Sequence, residues 1–206
     1  MSNEFSKTLR TAAKGSGWSV KQDTLSRRIG AYALDIHPRR GSVGCIEFRA
    51  KPAEWDYLLW SILHIKGNEK APVSFHFWGA FTCDTPALIQ QDIAADETDE
   101  RKADQMVRLA AHVAQRADIW EGYDLGRAIS NETPQQAYRY HMTRVVERIC
   151  HNDRETAHEI CDAALKGELD LRGFFSSTDD LAPLDDTGHR PFLSFFQLAQ
   201  IWISRN

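Results

Sequence analysis

The chain changes its hydrophobic periodicity part-way along, and this change constrains the fold more than any other feature. Residues 1–83 contain the segments in which apolar and polar residues alternate, as they do in half-buried β-strands. Residues 84–206 place their apolar residues mainly at helical spacing. The charge changes at the same place, since the first part has 12 Lys/Arg and 7 Asp/Glu and the second has 13 and 22. We therefore expect a basic, strand-rich part followed by an acidic, helical part.

Three segments of the first part have the pattern of strands. Residues 32–37 alternate in polarity, and residues 43–49 follow after a short turn-forming segment, 38–42, that contains Pro and Gly. A short loop between two such segments favours antiparallel pairing. Residues 73–81 also alternate, with aromatic side chains on one face, and have the clearest strand pattern in the chain. The sequence thus predicts an α+β fold in which a small N-terminal antiparallel sheet of three or four strands is covered by a predominantly helical C-terminal part.

Helical spacing of apolar residues continues through most of the second part. The predicted helices there include a segment near 88–93, a long helix from about Asp99 to Trp120, and a terminal helix opened by Pro191. The acidic stretch Asp92–Glu100 is the best candidate for a domain boundary. Because hydrophobic stripes occur in both parts, we expect them to share one core and residues 1–206 to form a single α+β domain.

Composition narrows the possible settings of the protein. The N-terminal residues 1–14 are polar and lack the apolar region of a signal peptide, so we expect a soluble, cytoplasmic protein with no membrane span. The four cysteines would then be reduced thiols in or near the core. The pI near 6.1 argues against nucleic acid as a partner of the whole molecule.

No motif for a cofactor or metal stands out. The chain has no phosphate-binding Gly-rich loop, no dinucleotide-binding turn and no nucleophile elbow. The nearest approach to a zinc set is Cys150, His151, His158 and Cys161, whose spacing differs from that of the usual zinc fingers. We therefore expect no cofactor and no bound metal.

Three residues of the predicted sheet are candidates for acid–base chemistry. His76 lies on the polar face of the segment 73–81, and His37 and Glu47 belong to the two preceding strands. If these groups converged within hydrogen-bond distance, they would form a small hydrolase-like site. An isolated strand histidine is more often structural, so the sequence leans against an enzyme without deciding the question.

Arginines of the same sheet allow a different function. They could form a basic face with the aromatic side chain of Trp78, and such a face would suit an RNA-binding module. An internal alternative is that the basic sheet docks onto the acidic helices. The arginines are Arg27, Arg28, Arg39, Arg40 and Arg49.

The first 83 residues resemble a loose group of bacterial α+β families of unknown function, some of whose members are toxin-immunity proteins. An amphipathic helix ends at Gly17-Trp18, Arg27-Arg28 precede the strand residues Leu34-Asp35-Ile36, and Cys45-Ile46-Glu47-Phe48 returns. The resemblance implies a small cytoplasmic protein that binds and blocks a partner. It implies no catalytic residues.

Acidic residues of the second part are the candidate partner-binding residues. Electrostatic complementarity with a basic toxin or enzyme would speed association and provide specificity. We therefore predict a non-catalytic protein-binding protein, with an immunity-type inhibitor as its specific form, and leave the oligomeric state open. The candidate residues are Asp92, Asp96, Glu97, Asp99, Glu100, Asp179, Asp180, Asp185 and Asp186.

Overall fold

A computed structural model describes residues 3–39, 44–94, 96–133, 137–171, 176–178 and 192–206. The chain divides into two compact units, neither of which is one continuous segment. Unit 1 comprises Met1–Ala53, Pro72–Gly79 and Thr85–Asp124. Unit 2 comprises Glu54–Ala71, Ala80–Asp84 and Leu125–Asn206.

Unit 1 contains one antiparallel sheet of five strands. The strands lie in the order β1-β2-β3-β4-β5, so each pairs with its neighbour in sequence. They are β1 (Ser19–Lys21), β2 (Thr24–Ile29), β3 (Tyr32–Pro38), β4 (Cys45–Pro52) and β5 (Ile89–Asp92). In the register of the central pair, Leu34 lies opposite Ala50 and His37 lies opposite Glu47. Each of these neighbouring pairs is antiparallel, so the antiparallel pairing predicted for β3 and β4 is confirmed.

Two amphipathic helices pack with one face of this sheet. They are α1 (Asn3–Ala12) and α4 (Asp99–Gln115), which also pack against each other. The residues that they bury with the sheet form one hydrophobic cluster, and the side chains of Leu9, Leu34, Met106 and Val113 are fully buried in it. Thr98 caps α4, because its hydroxyl accepts a hydrogen bond from the Arg101 amide. This face of the sheet is the core face of unit 1.

Unit 2 is mostly helical. After α2 (Ala53–Ile62), which begins at the boundary of the units, it contains α5 (Leu125–Ser130), α6 (His141–Cys150), α7 (Arg154–Leu165) and α8 (Phe195–Arg205). The last three helices pack against one another. A short antiparallel pair, β6 (Ser176–Thr178) and β7 (Phe192–Ser194), precedes α8. The side chains of Trp55 and Trp60 in α2 and of Phe195 in α8 are buried.

The predicted strand at residues 73–81 is wrong. Residues Phe75–Trp78 form a single helical turn, α3, and the amide of Gly79 bonds to the carbonyl oxygen of Phe75. A Cβ atom at Gly79 would lie 2.5 Å from that oxygen, so the tight end of α3 needs glycine. The aromatic rings of Phe77 and Trp78 lie against the charged side chains of Arg49 and Lys51. Tertiary contacts have overridden the local strand preference.

The predicted helix near residues 88–93 is also wrong, because Ile89–Asp92 form the edge strand β5. Ile89 and Ile93 pack on the core of unit 1, while Gln90 and Asp92 are exposed. This is an alternation of period two, which a short segment cannot distinguish reliably from helical spacing. Together with β1 and β2, which precede β3, this strand brings the sheet to five strands instead of the expected three or four.

Other predicted boundaries moved by smaller amounts. The long helix ends at Gln115 instead of Trp120, and a short turn of 3-10 helix at Ala117–Ile119 follows. The last helix begins at Phe195, because Ser194 and Gln197 form a capping box at its start. Phe192, which follows Pro191 and was expected in this helix, lies in β7 and is 78% exposed.

The α+β class is confirmed, while the expectation of a single domain stays a prediction. The units do not follow the predicted division at residues 83 and 84. Unit 1 contains 14 Lys/Arg and 13 Asp/Glu, and unit 2 contains 11 and 16. The basic strands and the acidic start of α4 therefore belong to the same unit, whose formal charge nearly balances. None of the helices that the structure describes combines the length and apolar character needed to cross a membrane.

Candidate functional site

The face of the sheet opposite the core face of unit 1 carries charged side chains, and we call it the polar sheet face. Strand alternation places Leu34 and Ile36 in the core, so that Asp35 and His37 point to the other side. The same alternation in β4 places Glu47, Arg49 and Lys51 beside them. Asp35 and Lys51 are completely buried, and His37 is nearly so. Charged groups buried in this way must pair with one another.

An imidazole between two carboxylates lies at the centre of the polar sheet face. The Nδ1 atom of His37 is 2.7 Å from Oδ2 of Asp35. Its Nε2 atom is 3.4 Å from Oε2 of Glu47 on the neighbouring strand. Both ring nitrogens of His37 therefore face a carboxylate oxygen. A protonated ring can donate to both, so this arrangement suits an imidazolium ion.

Two further groups complete the surroundings of Asp35. Nη2 of Arg49 is 3.0 Å from Oδ2, and the indole nitrogen of Trp78 donates a hydrogen bond of 2.8 Å to Oδ1. The ring of Trp78 also stands edge-on to the His37 ring, with centroids 4.8 Å apart. The Asp35 carboxylate is thus held by donors from its own strand, from β4 and from α3.

The one-turn helix α3 contributes aromatic rings as well as a hydrogen bond. The Arg49 guanidinium lies 5.2 Å from the centroid of the Phe77 ring and 5.0 Å from that of Trp78. The Lys51 ammonium lies 5.1 Å from the same Phe77 ring. Such cation–π contacts are favourable when the cation is desolvated. They explain why a segment with a strand-like pattern packs here as a helical turn.

The ionisation of this network follows from its contacts. Burial opposes the charge on Asp35, but the hydrogen bond from His37 and the charge of Arg49 outweigh it and lower the pKa of Asp35. Burial would lower the pKa of His37, yet the bonds to Asp35 and Glu47 outweigh it and raise that pKa. The bond to His37 is the main cause of the lowered pKa of Glu47. These contacts therefore favour the charged form of each of the three groups, which is a carboxylate for Asp35 and Glu47 and an imidazolium for His37.

The network reaches solvent through Glu47. Nε of Arg39, whose side chain is 42% exposed, lies 3.5 Å from Oε1 of Glu47. The side-chain amide of Gln90 on β5 donates to the same oxygen at 3.3 Å. The Trp78 side chain is also partly exposed. Glu47, Arg39, Gln90 and Trp78 are consequently the groups through which a ligand or partner could meet the buried charges.

This geometry restricts what His37 can do chemically. A general base needs a free lone pair directed at a substrate proton. Both ring nitrogens of His37 are directed at carboxylates, and these two contacts raise its pKa and so favour the ring that is protonated at both nitrogens. The arrangement therefore favours a fixed positive charge over a proton acceptor.

The structure brings together two of the three candidate catalytic residues. His37 and Glu47 are in contact, whereas His76 is buried within α3, two residues before Trp78. Sequence reasoning missed Asp35, which makes the shortest contact to His37. The signal was present, because residues i and i+2 of a strand share a face and Asp35 precedes His37 by two.

The candidate partner-binding residues that the structure describes lie where β5 leads into α4. Asp92 and Asp96 are exposed, and Asp99 and Glu100 occupy the first turn of α4. Glu97 contacts Arg101 and Gln105 of the same helix. The remaining four lie outside the described residues. They are Asp179, Asp180, Asp185 and Asp186.

The arginines proposed for RNA binding do not share one surface. Arg27 belongs to the core face of the sheet, since it lies opposite Leu34. Arg49 is largely buried against Asp35, while Arg28 is exposed and Arg39 contacts Glu47. Arg40 lies outside the described residues.

The cysteine and histidine residues considered for zinc lie on α6, α7 and the turn between them. Burial raises the pKa of Cys150 and of Cys161 to about 12, so both remain thiols near neutral pH. His158 instead contacts Asp162 on its own helix. Within the part of the chain that the structure describes, no three His, Cys, Asp or Glu side chains are grouped as ligands of a metal ion.

Comparisons with protein-family models, curated proteins and solved structures found no match to this chain. The resemblance to immunity-type families therefore stays a prediction. The features of this chain that bear on its function are the geometry of the polar sheet face and the acidic residues near the start of α4.

Proposed function

We propose that this chain is a non-catalytic protein-binding protein that meets a basic partner through carboxylates at the end of β5 and the start of α4. We call Asp92, Asp96, Asp99 and Glu100 the acidic edge. One observation carries the proposal: none of these four forms an ion pair with any residue that the structure describes. Neighbouring Glu97 and Asp104 do have arginine partners, Arg101 and Arg108.

Local structure accounts for only part of the acidic edge. Asp99 and Glu100 stabilise the N-terminal end of α4, where the helix dipole favours negative charge. Asp92 and Asp96 precede the helix and are exposed. Their carboxylates are therefore available to a cationic surface without breaking a bond within the described chain.

A basic enzyme or toxin is the class of partner that this surface fits. Complementary charge raises the rate of encounter and discriminates against acidic competitors. An inhibitor that covers a basic active-site cleft would act in this way. This immunity-type role rests on the acidic edge together with the resemblance of the first 83 residues.

The test is to capture proteins from the source cells with the purified chain and with an Asp92→Asn/Asp96→Asn double variant. A partner bound through the acidic edge should associate about tenfold more slowly with the variant at low ionic strength. Its association with the original chain should slow as salt is added, because salt screens exposed charges.

The matched control is a Glu4→Gln/Glu121→Gln double variant, which removes two exposed carboxylates elsewhere in unit 1. It has the same net charge as the test variant and should bind as the original chain does. If both double variants associate with the captured partner at the original rate, the acidic edge is not the binding surface.

A hydrolase-like enzyme is the second candidate, and the short contact between Asp35 and His37 favours it. A carboxylate that orients an imidazole is a common part of hydrolytic sites. A substrate would, however, have to displace Glu47 from Nε2 of His37. Saturable ester or phosphodiester hydrolysis that His37→Gln abolishes and Glu121→Gln preserves would replace the binding proposal with this one.

A further inference from the structure

A cleft of about 360 Å³ opens at the core face of unit 1, on the other side of the sheet from the His37 network. One wall is α4, which contributes Val107, Ala111 and Ala114. The other wall contains Trp18, and Arg27 of β2 lies between them. The volume is at the lower end of the range typical of small-molecule sites.

Arg27 is the only charged side chain in this lining. It is half-buried, and no carboxylate among the described residues lies within ion-pair distance of it. Its one hydrogen bond runs from Nη1 to the carbonyl oxygen of Ser16 at 3.4 Å. A guanidinium has five N–H donors, so most of those of Arg27 remain for a ligand.

The turn at Gly17 lies beside the guanidinium of Arg27. Gly17 has a φ of +77°, and a Cβ atom there would lie 3.4 Å from the Cζ atom of Arg27. The turn before β1 thus approaches one side of the guanidinium without a side chain between them. Trp18, which follows, is buried and presents an aromatic wall.

The wall formed by α4 is apolar, and two of its residues that face the cleft are alanines. Ala111 and Ala114 leave room that larger residues would occupy, and Val107 continues the apolar surface. Gln115 adds one amide at the end of the wall. Among the described residues, the lining thus combines one cation, one neutral amide and the polar residue Ser16 with apolar walls, and it includes no acidic side chain.

We propose that this cleft binds a small organic carboxylate. The carboxylate accepts hydrogen bonds from the Arg27 guanidinium, and an apolar body the size of one ring or a short alkyl chain lies between Trp18 and α4. Charge-assisted hydrogen bonds to Arg are the strong, geometrically specific part of such recognition. Apolar contact with Val107 and the alanines supplies the rest. This inference does not depend on the acidic edge or on the identity of a protein partner.

The test uses phenylacetate and hexanoate as probes, each compared with its neutral amide. Amide-proton NMR spectra of the full chain should show saturable shifts at residues 16–18 and 107–115 with both acids. Because each amide lacks the charge, it should bind about ten- to a hundredfold more weakly. Equal affinity of acid and amide, or tighter binding of inorganic phosphate than of either acid, would overturn the proposal.

Two variants test separately the charge of Arg27 and the open space of the cleft. Arg27→Gln should weaken phenylacetate binding by the same ten- to hundredfold, while Arg28→Gln should leave it unchanged. Arg28 is the adjacent residue on β2, is exposed, and points to the opposite sheet face. Ala111→Leu should also abolish binding, because it fills the cleft and retains Arg27. Undiminished binding by both Arg27→Gln and Ala111→Leu would show that the probes bind elsewhere and that the assignment is wrong.

Discussion

Asp35 sits in the middle of β3 with no exposed surface, and it remains charged because donors approach both of its oxygens. His37 and Arg49 meet Oδ2, while Trp78 meets Oδ1. Removing the carboxylate would take one hydrogen-bond or ion-pair acceptor away from each of these three donors. At the scale of single residues, Asp35 is therefore the group on which the polar sheet face depends.

Replacing Asp35 with Asn should lower the free energy of unfolding by about 3–5 kcal/mol, because the change removes the negative charge that His37 and Arg49 share at Oδ2 and leaves Glu47 as the carboxylate beside His37. Urea unfolding followed by circular dichroism measures this difference. Glu121→Gln, an exposed change in the same unit, should stay within about 0.5 kcal/mol of the original. An Asp35→Asn chain as stable as the Glu121→Gln chain would contradict the network described here.

The stability of the chain should depend on pH through His37. Its pKa is raised in the folded state, so its contribution is complete below its ordinary pKa of 6.5 and is lost as the pH rises through the folded value. Asp35 and Glu47 have lowered pKa values, so their contribution is present above their ordinary values and is lost as the pH falls through the lowered ones. The contribution of this network to stability should therefore be highest between the ordinary pKa values of the two carboxyl groups and the ordinary pKa of His37.

Urea unfolding of the original chain and of His37→Gln between pH 6 and pH 8 tests this contribution. Other groups, such as His141, whose pKa is lowered by burial, titrate alike in both chains, so the difference between the chains belongs to His37. Relative to His37→Gln, the original chain should lose stability toward the alkaline end. His37→Gln should lose less across the same range, since the neutral amide has no proton to release. Parallel curves for the two chains would show that folding does not raise the pKa of His37.

At the scale of elements, β5 illustrates how a short segment is fixed by close approach of the backbone. The amide of Ile93, just after β5, bonds to the carbonyl oxygen of Gly44, just before β4. Gly44 has a φ of +85°, and a Cβ atom there would lie 2.0 Å from the carbonyl oxygen of Ile93. No side chain fits at this position unless β5 moves.

Gly44→Ala should therefore destabilise the chain more than Gly30→Ala does. Gly30 also has a positive φ, but the space around it is open. The open position should cost about 1 kcal/mol for its backbone conformation, and Gly44 should cost at least about 2 kcal/mol more, because β5 must shift. Thermal unfolding of both variants measures the difference. Equal costs would mean that the edge strand adjusts freely.

The sequence predicted the elements whose periodicity was long or reinforced by turn residues. β3, β4, α1 and α4 were predicted close to their observed positions, because each repeats one pattern over at least two turns or a whole hairpin. α3 and β5 were wrong because each has only four residues, too few to fix a period. Of the charged network, the sequence predicted His37 and Glu47, which are in contact. It did not predict the contribution of Trp78, because this residue is 43 positions from Asp35 in the sequence and local patterns cannot reveal such a contact.

At the scale of the whole molecule, the chain passes between its two units five times, at residues 53–54, 71–72, 79–80, 84–85 and 124–125. Neither unit can be expressed as one uninterrupted segment. Two hydrogen bonds within unit 2 join its segments Glu54–Ala71 and Ala80–Asp84. The carboxylate of Asp56 accepts from the Cys83 amide at 2.6 Å, and the Trp60 indole donates to the Phe81 carbonyl oxygen at 2.6 Å.

This connectivity predicts that the chain unfolds in one cooperative transition, as expected of the single domain inferred from the sequence. Differential scanning calorimetry should give a ratio of calorimetric to van't Hoff enthalpy close to one. Resolved transitions, one of which Asp35→Asn lowers while the other stays in place, would instead show two independently folding domains.

The buried charges of β3 also bear on how the hairpin finds its partner strand. If β3 slipped by one residue against β4, every side chain would change face, and Asp35 and His37 would enter the apolar core while Leu34 and Ile36 left it. An apolar strand could tolerate such misalignment at modest cost, but here it would bury unpaired ions. The polar sheet face thus selects the register of the hairpin during folding, since only one alignment of β3 with β4 brings its opposite charges together.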